Sequence, residues 1–95
     1  MKMHTQNAVV QYYGCCTLRN LSVDVNSKNL VASVGGIGTI IVGMRHHVQH
    51  AAVQEEACAA LSNLAEGNVE NVISISSEEG VGAIIDAMQQ HQECV

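Results

Sequence analysis

The 95-residue chain is 47% hydrophobic and 14% charged, with net charge −5, two Tyr, no Phe or Trp, eight Gly and no Pro. Its length suits one small domain rather than two, and its core must come from Leu, Ile, Val, Ala and Met. These figures disfavour a β-sandwich, a base-stacking platform and a Pro-rich linker.

Charge is unevenly spread. Up to His47, Lys2, Arg19, Lys28 and Arg45 stand against Asp24, a net +3; from Val48 onward eight carboxylates face no Lys or Arg, a net −8. Four basic residues in an acidic chain do not make a nucleic-acid surface, which needs clustered Lys and Arg. Two halves of unlike sign could stack head to tail. Residues 1–6 are polar and do not read as a secretory signal, and no apolar run approaches the ~20 residues that span a bilayer. A cytoplasmic protein is therefore expected, with a nuclear one as the variant. Cys15, Cys16, Cys58 and Cys94 form no C-x-x-C pair and read as reduced thiols. The sequon at Asn20-Leu21-Ser22 then has no secretory context.

Along the chain the first element is a long helix over residues 7–22. Val10, Gly14, Thr17, Leu18 and Leu21 fall on one stripe of a 3.6-residue period, widened by Cys15. A short helix follows from about Ser27, capped by Asp24 or Asn26, carrying Leu30, Val31 and Val34 and ending at Gly35-Gly36. A medium helix then carries Ile37, Ile40, Ile41 and Met44.

The same three elements then recur. Residues 10–21 (VQYYGCCTLRNL) match residues 53–64 (VQEEACAALSNL) at an offset of 43, with six of twelve positions identical. Residues 36–47 (GIGTIIVGMRHH) match residues 80–91 (GVGAIIDAMQQH) at an offset of 44, again with six of twelve identical. The second long helix repeats the stripe as Val53, Ala57, Ala60, Leu61 and Leu64, with Cys58 beside it. Asn68 can cap a second short helix with Val72 and Ile73 inward. Ser76 and Glu79 fit a capping box ahead of a last helix carrying Val81, Ile84, Ile85 and Met88. Val9, Val10 and Tyr13 leave one end apolar, and Ile84, Ile85 and Met88 the other.

On these residues the chain resembles an armadillo repeat protein. The segment from Asn68 through Gly80 to Ile85 is similar to the family's first helix, Gly turn and second helix, and residues 53–65 are similar to its third. The resemblance covers residues 7–91 and implies an all-α, right-handed α-solenoid: a third helix at 7–22, a full repeat at 24–66, and the first two helices of another at 68–91. It further implies a non-catalytic scaffold whose third helices line a groove for an extended protein or peptide segment. Asn20 and Asn63 would hold the partner backbone, an amide being able to donate and accept at once; the residues themselves equally allow each Asn to bond its own helix end or the next loop. Tyr12, Arg19, Glu55 and Ser62 would flank them. Cys16 and Ala59 stand where nuclear-import adaptors of the family carry Trp, which argues against basic localisation signals as partner. The alternative expectation is a structural unit, or a piece of a longer array, that self-associates through its uncapped ends.

Catalytic and cofactor readings are weak, and neither a cofactor nor a metal is expected. His46, His47 and His50, with the more distant His91, have no carboxylate at ligand spacing, and His47 and His91 share a repeat position that suits a helix end. Residues 35–38 (GGIG) lack the preceding strand and following Gly-Lys of a phosphate loop. No Cys has an evident base and orienting partner.

Overall fold

The computed structural model describes residues 7–91, so the reading of Cys94 lies outside the described residues. These form six α-helices: α1 (Ala8–Leu21), α2 (Val25–Ser33), α3 (Gly36–His46), α4 (Ala51–Ala65), α5 (Val69–Ser77) and α6 (Gly80–Gln90). The long, short, medium order therefore occurs twice, and the described residues contain no strand.

Polar side chains cap three of the six helix starts, those at Asp24 and Asn68 as the sequence indicates. Asn7 caps α1, its Oδ1 accepting from the Val9 and Val10 amides at 3.0 and 3.2 Å. Asp24 caps α2 through the Ser27 amide at 2.9 Å, and Asn68 caps α5 through the Asn71 amide at 2.9 Å. The Ser27 hydrogen bonds hold the Asp24 carboxyl below its ordinary range. Its cap is therefore fully present above the ordinary Asp value and is lost as pH falls through the lowered one.

The turns into α3 and α6 also correspond. Gly35 takes φ 83° and Glu79, at the same repeat position, takes φ 66°. Left-handed backbone is free to Gly but costs a β-carbon about 1 kcal/mol or more. At Glu79 the expected capping box does not form: the residue occupies the N-cap position with no side-chain cap bond, and the Ser76 hydroxyl bonds back to the Val72 carbonyl at 3.1 Å. Glu79 is instead tied to Arg45, whose Nη2 lies 3.0 Å from its carbonyl and 3.0 Å from its carboxylate.

Packing centres on α4. Its most extensive contact is with α1, and it also touches α3, α5 and α6. The core joins Ile37, Ile40, Ile41 and Met44 of α3 to Ala57, Ala60, Leu61 and Leu64 of α4, with Cys15, Val31, Ile75, Ala83 and Ala87 around them. Ala57 and Ala60 are fully buried, as expected where small side chains let helices approach closely. Gly36 and Gly80, again equivalent, each admit a carbonyl where a β-carbon would stand: Val31 O at 2.7 Å and Ile75 O at 2.5 Å.

Three apolar assignments are corrected by this packing. Leu30, Val34, Val72 and Ile73 are exposed, while Val31 and Ile75 carry the buried positions of α2 and α5. These helices have nine residues, so only a narrow stripe reaches the core. The α1 stripe is exposed at Val10, Gly14, Thr17 and Leu21, whereas its α4 equivalents Val53, Ala57, Ala60 and Leu64 are buried. Val81 of α6 is exposed too, unlike Ile37 of α3, while Ile85 and Met88 are exposed as expected of an uncapped apolar end.

Candidate partner-binding face

Helices α1 and α4 lie side by side and parallel. Their N-terminal ends meet, with Ala8, Val9, Tyr12 and Tyr13 lining one hollow together with Gln49, Ala52 and Val53. Toward the C-terminal ends, Asn63 Nδ2 donates to the Arg19 carbonyl at 2.9 Å. Since Arg19 O lies in the last turn of α1, that bond satisfies one of the carbonyls a helix end leaves without an intrahelical partner.

The eight residues singled out in the sequence divide between two environments. Asn20 is exposed on α1 and Asn63 half-buried on α4, so the two amides sit at equivalent positions but are differently engaged. Asn63 retains one N–H and its Oδ1. The Arg19 guanidinium forms an ion pair with Glu56 at 3.2 Å, the Glu56 side chain being 14% exposed. Arg19 thus fastens α1 to α4. Tyr12 and Cys16 are half-buried on α1; a hydrogen bond with the Cys16 side chain raises the Tyr12 hydroxyl above its ordinary value, and the Tyr12 ring meets Tyr13 edge-on at 5.0 Å.

Glu55, Ala59 and Ser62 stand on the outer part of α4. Ser62 borders an apolar groove of about 390 Å³ between α4, α5 and α6, lined by Cys58, Leu61, Ile75, Val81 and Ile84. Glu55 borders a neighbouring hollow of about 330 Å³ with Gln54, Cys58, Ala87 and Met88. The groove is a feature the sequence reading did not isolate, although its lining residues alternate with the helical period.

Other polar groups that the sequence did not single out tie the helices together, both between and within the two copies. Lys28, only 9% exposed, donates from Nζ to the Glu66 carbonyl at 2.7 Å, a cation at the C-terminus of α4 where the helix dipole favours it. Gln54 donates to the Met44 and His47 carbonyls at 3.0 and 2.9 Å. Asn71 donates to Leu64 O at 2.8 Å. The equivalent histidines both stand at helix C-termini: His47 is the C-cap of α3, and His91, the C-cap of α6, has Nε2 2.8 Å from Val48 O.

No group of three or more His, Cys, Asp and Glu side chains placed to hold a metal ion occurs among the described residues. Burial pushes the Cys15 thiol up to about 11, with Cys16, Glu56 and Cys58 adding to it, and burial also raises Cys58. Both are therefore protonated near neutral pH and poor nucleophiles. No single helix among the described residues is long and apolar enough to cross a membrane.

The chain is 39% identical over 103 aligned positions to Protein aardvark of Dictyostelium discoideum, an alignment that takes in 96% of this chain and 14% of that protein. It thus spans about a seventh of the length of the relative it matches. No family model matches the sequence. No solved structure matches it.

Proposed function

We propose that this chain is a non-catalytic protein-interaction module, an α-solenoid segment of armadillo type. In this reading α2, α3 and α4 form one unit, α5 and α6 begin the next, and α1 is the third helix of a preceding one. An extended partner segment lies across α1 and α4. The observation that carries the reading is the parallel pairing of those two helices with Asn20 and Asn63 at equivalent positions, one exposed and the other retaining hydrogen-bonding capacity.

Packed helices lie about 10 Å apart and an extended chain rises about 3.3 Å per residue, so successive Asn amides suit backbone groups about three residues apart. Side-chain selectivity falls to the flanking Tyr12, Cys16, Glu55, Ala59 and Ser62. Because Arg19 is engaged by Glu56, the face offers no free guanidinium there, and its negative half favours partners without acidic runs. A groove of two rungs binds weakly, since a short contact must offset the entropy of ordering the peptide. The free thiols of Cys15, Cys16 and Cys58 support action in a reducing, cytoplasmic setting.

Selection from a displayed peptide library, followed by affinity measurement, tests the proposal. Asn20→Ala is expected to weaken the selected peptide by roughly tenfold, one lost backbone hydrogen bond, without changing Tm. Asn63→Ala is expected to weaken it similarly and also to lower stability by about 1 kcal/mol, because the Arg19 carbonyl loses its donor. Unchanged affinity in the Asn20→Ala/Asn63→Ala double variant would remove the Asn ladder.

A further inference from the structure

The apolar groove and the exposed stripe of α1 are, among the described residues, the two halves of an interface the fold already contains. The groove lined by Cys58, Leu61, Ile75, Val81 and Ile84 has an exact counterpart in register one repeat earlier: Cys15, Leu18, Val31, Ile37 and Ile40. That earlier set is closed over. Cys15, Val31, Ile37 and Ile40 belong to the buried core and Leu18 packs against it, with α4 lying on α1 and α3. The helix that closes it, α4, contributes Ala57, Ala60 and Leu64 to that core and buries Val53 beside α1, each no more than 2% exposed. Their equivalents on α1 are Val10, Gly14, Thr17 and Leu21, all exposed. One end thus presents the groove, and the other presents the stripe that fills such a groove.

We infer that the groove between α4, α5 and α6 takes α1 of a second copy of this chain, in the orientation in which α4 packs within one copy. The partner supplies α5 and α6 with a third helix, which they do not have among the described residues. Unlike charge selects the direction: among the described residues, head-to-tail docking sets a half carrying Arg19, Lys28, Arg45 and Asp24 (net +2) against one with seven carboxylates and no Lys or Arg (net −7), whereas tail-to-tail docking would bring two acidic halves together. One internal hydrogen bond is reproduced, because Asn20 and Ser62 O stand where Asn63 and Arg19 O stand inside the chain.

Other clamps are not reproduced. Lys28 is matched by Val72, and the Arg19–Glu56 pair by Ser62 and Tyr13. The contact between copies is accordingly more apolar and weaker than the one within a copy. Being heterologous, it leaves a free groove and a free stripe after each addition, so it builds open chains of copies rather than closing at a dimer. The inference rests on the repeat stacking of the reading above but not on peptide capture by α1 and α4.

Complementation between two end-blocked variants tests it by sedimentation velocity. Thr17→Arg places a charge on the exposed stripe, and Val81→Glu places one in the groove wall; Val81 is 52% exposed and Thr17 exposed, so both variants should keep wild-type helicity. Wild type is expected to show a weight-average mass that climbs with concentration over a roughly hundredfold range. Each variant alone is expected to bind itself at least about tenfold more weakly, because association would bury an unpaired charge. Their equimolar mixture is expected to form a dimer and stop, since the open groove of Thr17→Arg takes the open stripe of Val81→Glu and only the two blocked surfaces remain. Wild type that stays monomeric throughout, or either variant self-associating as wild type does, overturns the inference. The first of those results would leave peptide binding by α1 and α4 untouched.

Discussion

Changing Ile40 to alanine is expected to cost about 3–4 kcal/mol and to lower Tm by roughly 15–25 °C, whereas Ile84→Ala should cost only about 1 kcal/mol. The two residues hold the same repeat position in equivalent helices of equal length, α3 and α6. They differ in cover: Ile40 is 1% exposed, and Ile84 is half-buried at the edge of the open groove. Truncating Ile40 leaves a cavity that α3 and α4 can only partly collapse, and truncating Ile84 merely deepens a surface hollow. A small domain holds ~5 kcal/mol or a little more in total, so the Ile40 variant should sit near its unfolding threshold at room temperature. Urea titrations of both variants at low protein concentration, where copies do not associate, measure the difference. Equal losses would mean that the two copies are covered alike.

Gly36→Ala and Gly80→Ala should each destabilise by about 1–3 kcal/mol, even though alanine is ordinarily the better helix former. At Gly36 a β-carbon would lie 2.5 Å from Val31 Cγ1 and 2.7 Å from the Val31 carbonyl; at Gly80 it would lie 2.5 Å from the Ile75 carbonyl and 3.1 Å from Ile41 Cδ1. A side-chain methyl can rotate away, but a carbonyl in the last turns of a short helix moves only with its backbone. The angle between α2 and α3, and between α5 and α6, is thus set by the absence of a side chain. Gly14 supplies the control, because nothing lies within 4 Å of its would-be β-carbon. Gly14→Ala should be neutral to stabilising by up to about 1 kcal/mol. Thermal melts of the three variants check all three signs, and a stable Gly36→Ala protein would contradict the close packing described here.

Much of the fold was legible because helical period, caps and repetition are local properties of sequence. The stripes at Ile37, Ile40, Ile41 and Met44 and at Val53, Ala57, Ala60, Leu61 and Leu64 were readable, as were the caps at Asp24 and Asn68. Periodicity identifies an apolar face, however, and says nothing of what covers it. That is why Leu21 and Val81 look like core in the sequence and are exposed in the structure, whereas Val10 and Met88 are exposed as residues of apolar ends. In α2 the adjacent Leu30 and Val31 competed for one inward position, and in α5 Val72, Ile73 and Ile75 did. Helix phase gave it to Val31 and Ile75, leaving Leu30, Val72 and Ile73 outside.

The candidate site was legible by position more than by contact. Repetition marked Asn20 and Asn63 as equivalent, but no spacing rule announces that Asn63 reaches Arg19 O across 44 residues, or that Glu56 occupies the Arg19 guanidinium. Lys28 was counted only as a surface charge; its bond to Glu66 O depends on the second copy lying against the first. Glu79 illustrates the opposite failure. A local rule proposed a capping box, and the tertiary pairing with Arg45 took the residue elsewhere.

The most direct test of the proposed interaction face is a chemical-shift map of the 15N-labelled chain titrated with a library-selected peptide. The proposal predicts that the largest changes fall on Tyr12, Cys16, Asn20, Glu55, Ala59, Ser62 and Asn63, including the side-chain amides of both Asn residues. Changes confined to α2 and α5, or to Ile75, Val81 and Ile84 in the apolar groove, would contradict it.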